Sequence, residues 1–562
     1  MALLECRGVS FKYPDSEKRK GFFLSDVEFS LESGGALLLY GRSGSGKSTL
    51  MRLLKPEVAP HGELRGDILF NERSLSSISE RESAAAIGYV GQDPDAAPVT
   101  DRVMDELAFL PSNLGMTANE IYRRIAEISA FFGIEPLMDK KLSELSGGQK
   151  QLVNLAAVMT AEPELLLLDE PAAQLDPLAA QQFYQTVRRI RSELGTSLII
   201  SEHSAEHFFS DLGSVLYLDN GVQRFCEPPY RAAATIRSVD KSMLAGFPCT
   251  VRLSSEVMGC RPMSDASEGR RFVEERYSAF AEKAPFSHNS EVCGHKGRAV
   301  SVRGAYYRYG RYSPDVISGI DFDADFGSCT AVCGANGTGK STLLRLISGI
   351  LHPQEGRIYI DGKRLESYKD GSLYRGLLTC LPQNPADIML EETLRAELEK
   401  APDGTERTDE EINEIMDALS LDRKLLAAHP LDLSGGELQR AALAKLLLTK
   451  PKIILLDEPS KGIDHDCRQR LSQILRRFAE QGAAVIFITH DLDFAARTAD
   501  NIALMFGGRI AASEPAEEFL SGGRLYTTAA ARIGGSVFPY AITPEKLITC
   551  CLNAEKEMGH EL

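Results

Sequence analysis

The stretch Gly41–Leu50 reads GRSGSGKSTL, and Gly334–Leu343 reads GANGTGKSTL. An apolar run precedes each loop, ALLLY in the first case and CTAVC in the second, and a helical pattern follows it (STLMRLL after the first). Strand, glycine loop and helix in that order form the anion-binding turn of an α/β sheet. Glycines let backbone N–H groups turn inward with no Cβ in the way. The helix N-terminus adds positive potential at the same point. Gly41, Gly44, Gly46, Lys47, Ser48 and Thr49 make the first loop, and Gly334, Gly337, Gly339, Lys340, Ser341 and Thr342 the second. In such a loop the lysine reaches the β- and γ-phosphates of a nucleotide, and the serine hydroxyl can ligate Mg²⁺. Any fold for this chain must contain that turn twice.

The loops belong to a longer series that the chain also repeats. Each half runs from an aromatic segment (VSFKYP, YYRYG) through the glycine loop to a glutamine segment (YVGQDPD, CLPQNPAD). LSGG, LLLLDEP or IILLDEP, and an apolar strand ending in histidine (LIISEH, VIFITH) then follow. The offset between halves is 293 residues at the loop lysines, 288 at the LSGG serines and 287 at the histidines. A near-constant offset means a duplicated domain, not a short solenoid repeat. Short apolar strands alternate with amphipathic helices, which predicts α/β domains around largely parallel sheets. The expected layout is a first domain over 1–230, a linker over 231–297, a second domain over 298–520 and a C-terminal extension over 521–562. The linker is polar and mixed in charge, so it reads as having little regular structure, with a small extra domain as the alternative.

Composition narrows the function. A chain of 562 residues with net charge −16 is poorly suited to gripping nucleic acid through phosphate neutralisation. No apolar run approaches the ~20 residues of a membrane span, and MALLECRGVSFKYPD does not read as a signal peptide. The 11 cysteines form no CxxC pair, so Cys329 and Cys333 read as small apolar strand residues in a reducing compartment.

LLLLDEP sets Asp169 at the C-terminal end of a buried strand, where ligands sit in α/β sheets. Asp169 and Asp457 are the expected Mg²⁺-side carboxylates. Glu170 and Glu458 come directly after them, and a glutamate there can deprotonate a water for attack on the γ-phosphate.

LSGGQKQ (145–151) and LSGGELQ (433–439), with the loops and LDEP, resemble the ATP-binding cassette (ABC) ATPases over most of the chain. The resemblance implies an ATPase with two tandem P-loop domains. Each would have a mainly parallel core sheet, an antiparallel β subdomain and a helical subdomain carrying LSGG. It implies that Tyr13 and Tyr309 stack on adenine. Gln92 and Gln383 would sense the γ-phosphate and metal beside a groove that grips a partner, and His203 and His490 would contact the γ-phosphate. AQLD, ending at Asp176, and KGID, ending at Asp464, would be interface loops. In this family LSGG closes on the nucleotide held by the other domain. One composite site would then join Lys47, Asp169, Glu170 and His203 to Ser434, Gly435 and Gly436. The other would join Lys340, Asp457, Glu458 and His490 to Ser146, Gly147 and Gly148. Both sites would form within one chain. Ser204 stands where an acid usually follows the histidine, so the two sites are expected to hydrolyse at unequal rates.

VGQDPDAAPVTDRVMDELAF and LYTTAAARIGGSVFPYAIT resemble the energy-coupling-factor (ECF) importers, although Gly91 and Ala97 depart from that pattern. That resemblance implies a peripheral ATPase on the cytoplasmic face of the membrane. It would drive a transmembrane coupling protein and a substrate-capturing subunit for a vitamin or transition-metal ion. A tandem sugar-importer ATPase would often show one degraded site, and this chain shows none. A ribosome-acting ABC protein would carry an asparagine–histidine interface loop, where Gln174 and Gly462 stand here. A DNA-repair ATPase would need a long coiled coil or zinc-ligand cysteines.

Overall fold

Ala36–Tyr40 and Leu165–Asp169 carry almost nothing polar, and each is a strand buried along its whole length. A strand buried on both faces needs helices above and below it, which only a parallel sheet supplies. The computed structural model describes residues 2–14, 23–173, 175, 177–206, 208–257, 262–263, 265–280, 297–369, 371–400, 407–522 and 526–559. The chain forms two units, 1–251 and 252–562.

The first unit holds β1 (Ala2–Lys12), β2 (Leu24–Glu32), β3 (Ala36–Tyr40), β4 (Glu63–Phe70), β5 (Arg73–Ser74), β6 (Ile87–Val90), β7 (Leu165–Asp169), β8 (Ser197–Glu202), β9 (Ser214–Asp219) and β10 (Val222–Glu227). Their order is β5-β4-β1-β2-β10-β9-β3-β8-β7-β6. The core β9-β3-β8-β7-β6 is parallel. The β4-β1-β2 end is antiparallel and joins the core side through β10 at Val222 and Ser25. The helices Val103–Asn113, Ala118–Phe132 and Gly147–Met159 form the helical part. Thr117 with Glu120 and Ser146 with Gln149 close capping boxes that fix where two of them begin.

The second unit repeats this plan with β11 (Arg298–Tyr307), β12 (Ile317–Asp325), β13 (Cys329–Cys333), β14 (Glu355–Ile360), β15 (Lys363–Arg364), β16 (Leu378–Leu381), β17 (Ile453–Asp457), β18 (Ala484–Ile488), β19 (Asn501–Phe506) and β20 (Arg509–Pro515). Here the antiparallel sheet β12-β11-β14-β15 is separate from the core β16-β17-β18-β13-β19-β20. Cys329 and Cys333 are buried and free, as their apolar setting predicts.

The stretch 231–297 is not the irregular segment that its polarity suggests. It contains most of the helix Pro229–Val239, a 3₁₀ segment Lys241–Gly246, and the helices Cys249–Glu256 and Ala266–Tyr277. Part of its polar content faces solvent, while Thr250 and Arg252 are buried. Ile236, Met243, Leu244, Phe247 and Val251 belong to the first unit's core. Tyr40 Oη donates to the Met243 carbonyl at 2.5 Å, and Phe247 packs edge-on to Tyr40. Arg42, inside the glycine loop, donates to Asp240 (2.9 Å) and Ser242 (2.7 Å). The helix Ala266–Tyr277 belongs instead to the second unit and its C-terminal extension. There Tyr277 Oη and Arg276 Nε both donate to Glu555, each at 2.6 Å. Residues 258–261, 264 and 281–296 of the stretch lie outside the described residues.

Full burial of a large apolar side chain contributes ~1.5–3 kcal/mol. Five such residues between 236 and 251 therefore rival the ~5–15 kcal/mol net stability of a domain. A fragment 1–251 should melt cooperatively, whereas a fragment 1–230 should not. Circular dichroism melts of the two check this, and equal cooperativity would place residues 231–251 outside the first unit's core.

Candidate functional site

Strand register builds the acidic end of each unit. Asp169, last in β7, is paired with Ser201 in β8, and Asp457, last in β17, with Ile488 in β18. Both glycine loops open at the ends of strands in the same sheets, β3 and β13. Gly46 and Gly339, at φ 104° and 99°, turn the chain into the helices that start at Lys47 and Lys340. A Cβ on Gly41 or Gly334 would meet a backbone carbonyl at 2.3 Å, so these residues must be glycine for the loop to leave its strand.

Lys47 is buried, and its ammonium donates to the carbonyls of Gly41 (2.8 Å) and Arg42 (3.1 Å). It lies 3.7 Å from Glu170 Oε1, which His203 Nε2 approaches to 2.7 Å. Gln92 donates to the other oxygen of Glu170 at 3.0 Å. Burial alone would push the Glu170 carboxyl up, but His203 and Lys47 together hold it down at about 2. In the second unit Lys340 donates to Gly334 (2.9 Å) and Ala335 (2.8 Å), and His490 Nε2 lies 3.0 Å from Glu458 Oε1. The Glu458 carboxyl is also lowered against its burial, mainly through His490. Both glutamates have left-handed backbones, φ 45° and 52°. That conformation costs a non-glycine residue ~1–3 kcal/mol and persists only where its surroundings impose it.

Asp169 accepts from Ser48 (3.1 Å) and Ser201 (2.6 Å) at one oxygen and from Tyr89 (3.1 Å) at the other. Asp457 is bonded by Ser341, and its burial pushes the carboxyl up. Tyr13 and Tyr309 bond through their hydroxyls to Thr49 (3.0 Å) and Thr342 (3.1 Å), which brings both rings to the glycine-loop helices.

Lys47, Ser48, Gln92, Asp169, Glu170 and His203 thus converge on one point. Lys340, Ser341, Asp457, Glu458 and His490 do the same in the second unit, where Gln383 is exposed. The LSGG residues stand apart. Ser146 and Ser434 cap their own helices, and Gly147 and Gly435 are exposed beside them. Buried Gln151 and Gln439 tie those helices to the acidic turns, at the carbonyls of Pro171 (3.0 Å) and Glu458 (3.3 Å). Gln174 and Asp176 lie outside the described residues, while Asp464 caps the helix His465–Glu480.

Among the described residues no three of His, Cys, Asp and Glu are grouped to hold a metal ion. The donors present are hydroxyl, carboxylate and amide oxygens. They suit a hard cation such as Mg²⁺, which binds through one or two carboxylates plus substrate phosphates.

Sequence reading missed Tyr89, Ser201, Glu202 and Tyr184. Comparing the two halves residue by residue would have flagged them, because Ser201 and Glu202 stand where Ile488 and Thr489 do. The Glu202 carboxyl is enclosed behind His203 and accepts from Tyr184 Oη and the backbone N–H groups of Ala172 and His203. The Ser204 departure also has a structural consequence. Asp491 caps the helix Leu492–Thr498, whereas a 3₁₀ turn, Phe209–Asp211, follows Ser204.

Burial pushes Glu202 up to about 7; the Tyr184 hydroxyl opposes the shift and the charge of Glu170 adds to it. A carboxyl raised in the folded state costs stability as pH climbs past its unfolded value, and the whole cost is present above the folded one. Glu202→Gln should therefore gain on wild type between pH 5 and pH 8.5, by on the order of 1–3 kcal/mol. Melting temperatures across that range measure it, and a pH-independent difference would contradict it.

Comparisons with known proteins show the family. The ABC transporter family model matches residues 24–173 and 317–461. A Bacillus cereus protein named "Putative ABC transporter ATP-binding protein" is 33% identical over 557 residues, covering 98% of this chain and 99% of its own. A Bacillus subtilis protein named "Putative HMP/thiamine import ATP-binding protein YkoD" is 29% identical over 512 residues, covering 90% of each. Among solved structures, CbiO1 from Clostridium perfringens, described as part of the ABC transporter complex CbiONQ, is 28% identical. It covers 43% of this chain and 95% of its own, with a TM-score of 0.38. With a cassette in each half and a full-length relative at this identity, the chain belongs to the ABC transporter family, as an ATP-binding and ATP-hydrolysing protein with two cassettes.

Proposed function

We propose that this ATPase energises an ECF-type membrane importer for a vitamin or transition-metal ion. It would sit as a peripheral subunit on the cytoplasmic face, with a transmembrane coupling protein and a substrate-capturing subunit as partners. One observation carries the partner reading. Each unit presents one large apolar side chain seven residues after its glutamine, Val99 (64% exposed) and Leu390 (83% exposed). Buried Glu106 and Glu397 hold these two turns through the backbone N–H groups of Val99 and Thr100 and of Leu390 and Glu391. A buried carboxylate spent on fixing a turn that exposes a hydrophobic residue, twice at matching positions, fits two docking points for apolar partner segments. The full-length relative named for HMP/thiamine import supports a vitamin-class cargo. No helix among the described residues is long and apolar enough to cross a membrane.

At each site the γ-phosphate of ATP would draw Lys47 and His203, or Lys340 and His490, away from the neighbouring glutamate. Losing those positive partners raises the carboxyl's pKa and frees it to take a proton from the attacking water. Mg²⁺, when bound by Ser48, Asp169 and Gln92 or by Ser341, Asp457 and Gln383, would neutralise phosphate charge. Exposed Ser434 with Gly435 and Gly436, and Ser146 with Gly147 and Gly148, would complete the two sites across the cassettes of one chain, each as a helix N-terminus facing an anion.

Glu170→Gln with Glu458→Gln should keep ATP binding and lower turnover by ~10²–10⁴-fold, the loss typical of a general base. Turnover near wild type in a coupled ATPase assay would remove both residues from the chemistry. Co-expression with the membrane proteins encoded beside it should carry the chain into the membrane fraction. Val99→Asp with Leu390→Asp should prevent this while ATP binding reports intact folding. Unchanged membrane recovery would overturn the docking role, and co-purification with ribosomes alone would favour a ribosome-acting ABC protein.

A further inference from the structure

The acidic ends of the two units share their backbone and differ in their hydroxyls. In the first, Ser201 is fully buried. Its Oγ donates to Asp169 Oδ1 at 2.6 Å and accepts from the Glu170 N–H at 3.1 Å, so one hydroxyl touches both members of the acidic pair. Tyr89 Oη donates to Asp169 Oδ2 at 3.1 Å. Strand register identifies the counterparts. Tyr89 pairs with Leu167 and Cys380 with Leu455, each two residues before the aspartate, while Ser201 and Ile488 pair with the aspartates themselves. The second unit therefore offers a thiol and an alkyl group where the first offers two hydroxyls.

A carboxylate has about four lone-pair directions. With Ser48 on Oδ1 as well, three donors hold Asp169 and fix the plane of its carboxylate. Groups of this kind, which orient a metal's ligand without touching the metal, typically change affinity 10–100-fold when removed. We propose that Ser201 and Tyr89 are positioning residues that make the first unit the tighter of two cation–nucleotide sites. This rests on the reading of Asp169 and Asp457 as cation-side carboxylates. It adds which site binds more tightly and which side chains decide it.

The test uses the full chain, Mn²⁺ and a non-hydrolysable ATP analogue, with free Mn²⁺ read by electron paramagnetic resonance. Lys340→Ala isolates the first site and Lys47→Ala the second. The first site should bind Mn²⁺ at least tenfold more tightly than the second. Tyr89→Phe, which keeps the ring in place, and Ser201→Ala should together weaken the first site about tenfold and leave metal-free nucleotide affinity unchanged. Ser201→Thr, which keeps a hydroxyl, should restore most of the loss. Equal Mn²⁺ affinity at the two sites would overturn the proposal, as would first-site affinity that ignores both substitutions or an equal loss of metal-free affinity. Asp169→Asn separates the two layers. If it abolishes Mn²⁺ binding while Tyr89→Phe and Ser201→Ala do nothing, only the positioning role falls. If it too leaves Mn²⁺ binding unchanged, the cation reading falls and takes the proposal with it.

Discussion

A lysine ammonium with almost no exposed surface stands at the centre of each unit, and the surrounding groups are arranged to make that tolerable. Removing such a charge from water costs several kcal/mol unless it is paired and hydrogen-bonded. Lys47 meets the cost with two loop carbonyls and with Glu170, and Lys340 begins the same way with two carbonyls. The glycine loop must curl tightly for those carbonyls to face inward, and the strand end must supply a carboxylate nearby. The low pKa of Glu170 is the other side of the same pairing. The loop, the strand end and the histidine therefore form one electrostatic object. On the proposed reading, a triphosphate entering it would replace protein partners of the lysine with phosphate oxygens.

The repeated series made that object legible before any coordinates. ALLLY and LLLLD can only be buried strands, and the glycine spacing fixes the turn between strand and helix. The pairing of Lys47, Asp169, Glu170 and His203 follows once those two strands flank β8, which ends just before His203. Two features were hidden for physical reasons. Residues 231–251 look like a linker because a helix at a domain edge needs few apolar positions. Ile236, Met243 and Phe247 are diluted among the polar residues Arg237, Ser238, Asp240, Lys241 and Ser242. Tyr89 and Ser201 look like ordinary strand residues. Their role depends on a cross-strand neighbour, and register is a property of the assembled sheet rather than of either strand.

Divergence between the halves is concentrated where it disturbs least. The glycine loops scarcely vary, because a Cβ at Gly41 or Gly334 has nowhere to go. Positions next to the acidic strand ends are freer. Buried Ser201 against Ile488 and half-buried Tyr89 against Cys380 are exchanged without changing the pairing of a single strand residue. The polar member of each exchange finds a partner in the aspartate, and the apolar member faces a core that accepts it. Duplicated sites can thus separate in chemistry while the sheet that carries them stays the same.

The same direction of divergence appears three times in the first unit. Arg42 fastens the glycine loop to Asp240 and Ser242, where the second loop has Ala335 at the matching position. Ser201 and Tyr89 fasten Asp169. Glu202 gathers buried Tyr184 and the backbone of Ala172 and His203 into one hydrogen-bonded knot, where the second unit has Thr489. Each of these contacts is made between the chain's own groups, so the fold itself orients this side of the first site. Order supplied by the protein need not be supplied by binding energy, which favours tight occupancy. In the second unit the acidic end is the more open of the two, with Glu458 24% exposed against 10% for Glu170. If the first unit is the tighter site, as proposed, one cassette would be suited to holding nucleotide and the other to changing most when nucleotide binds and leaves.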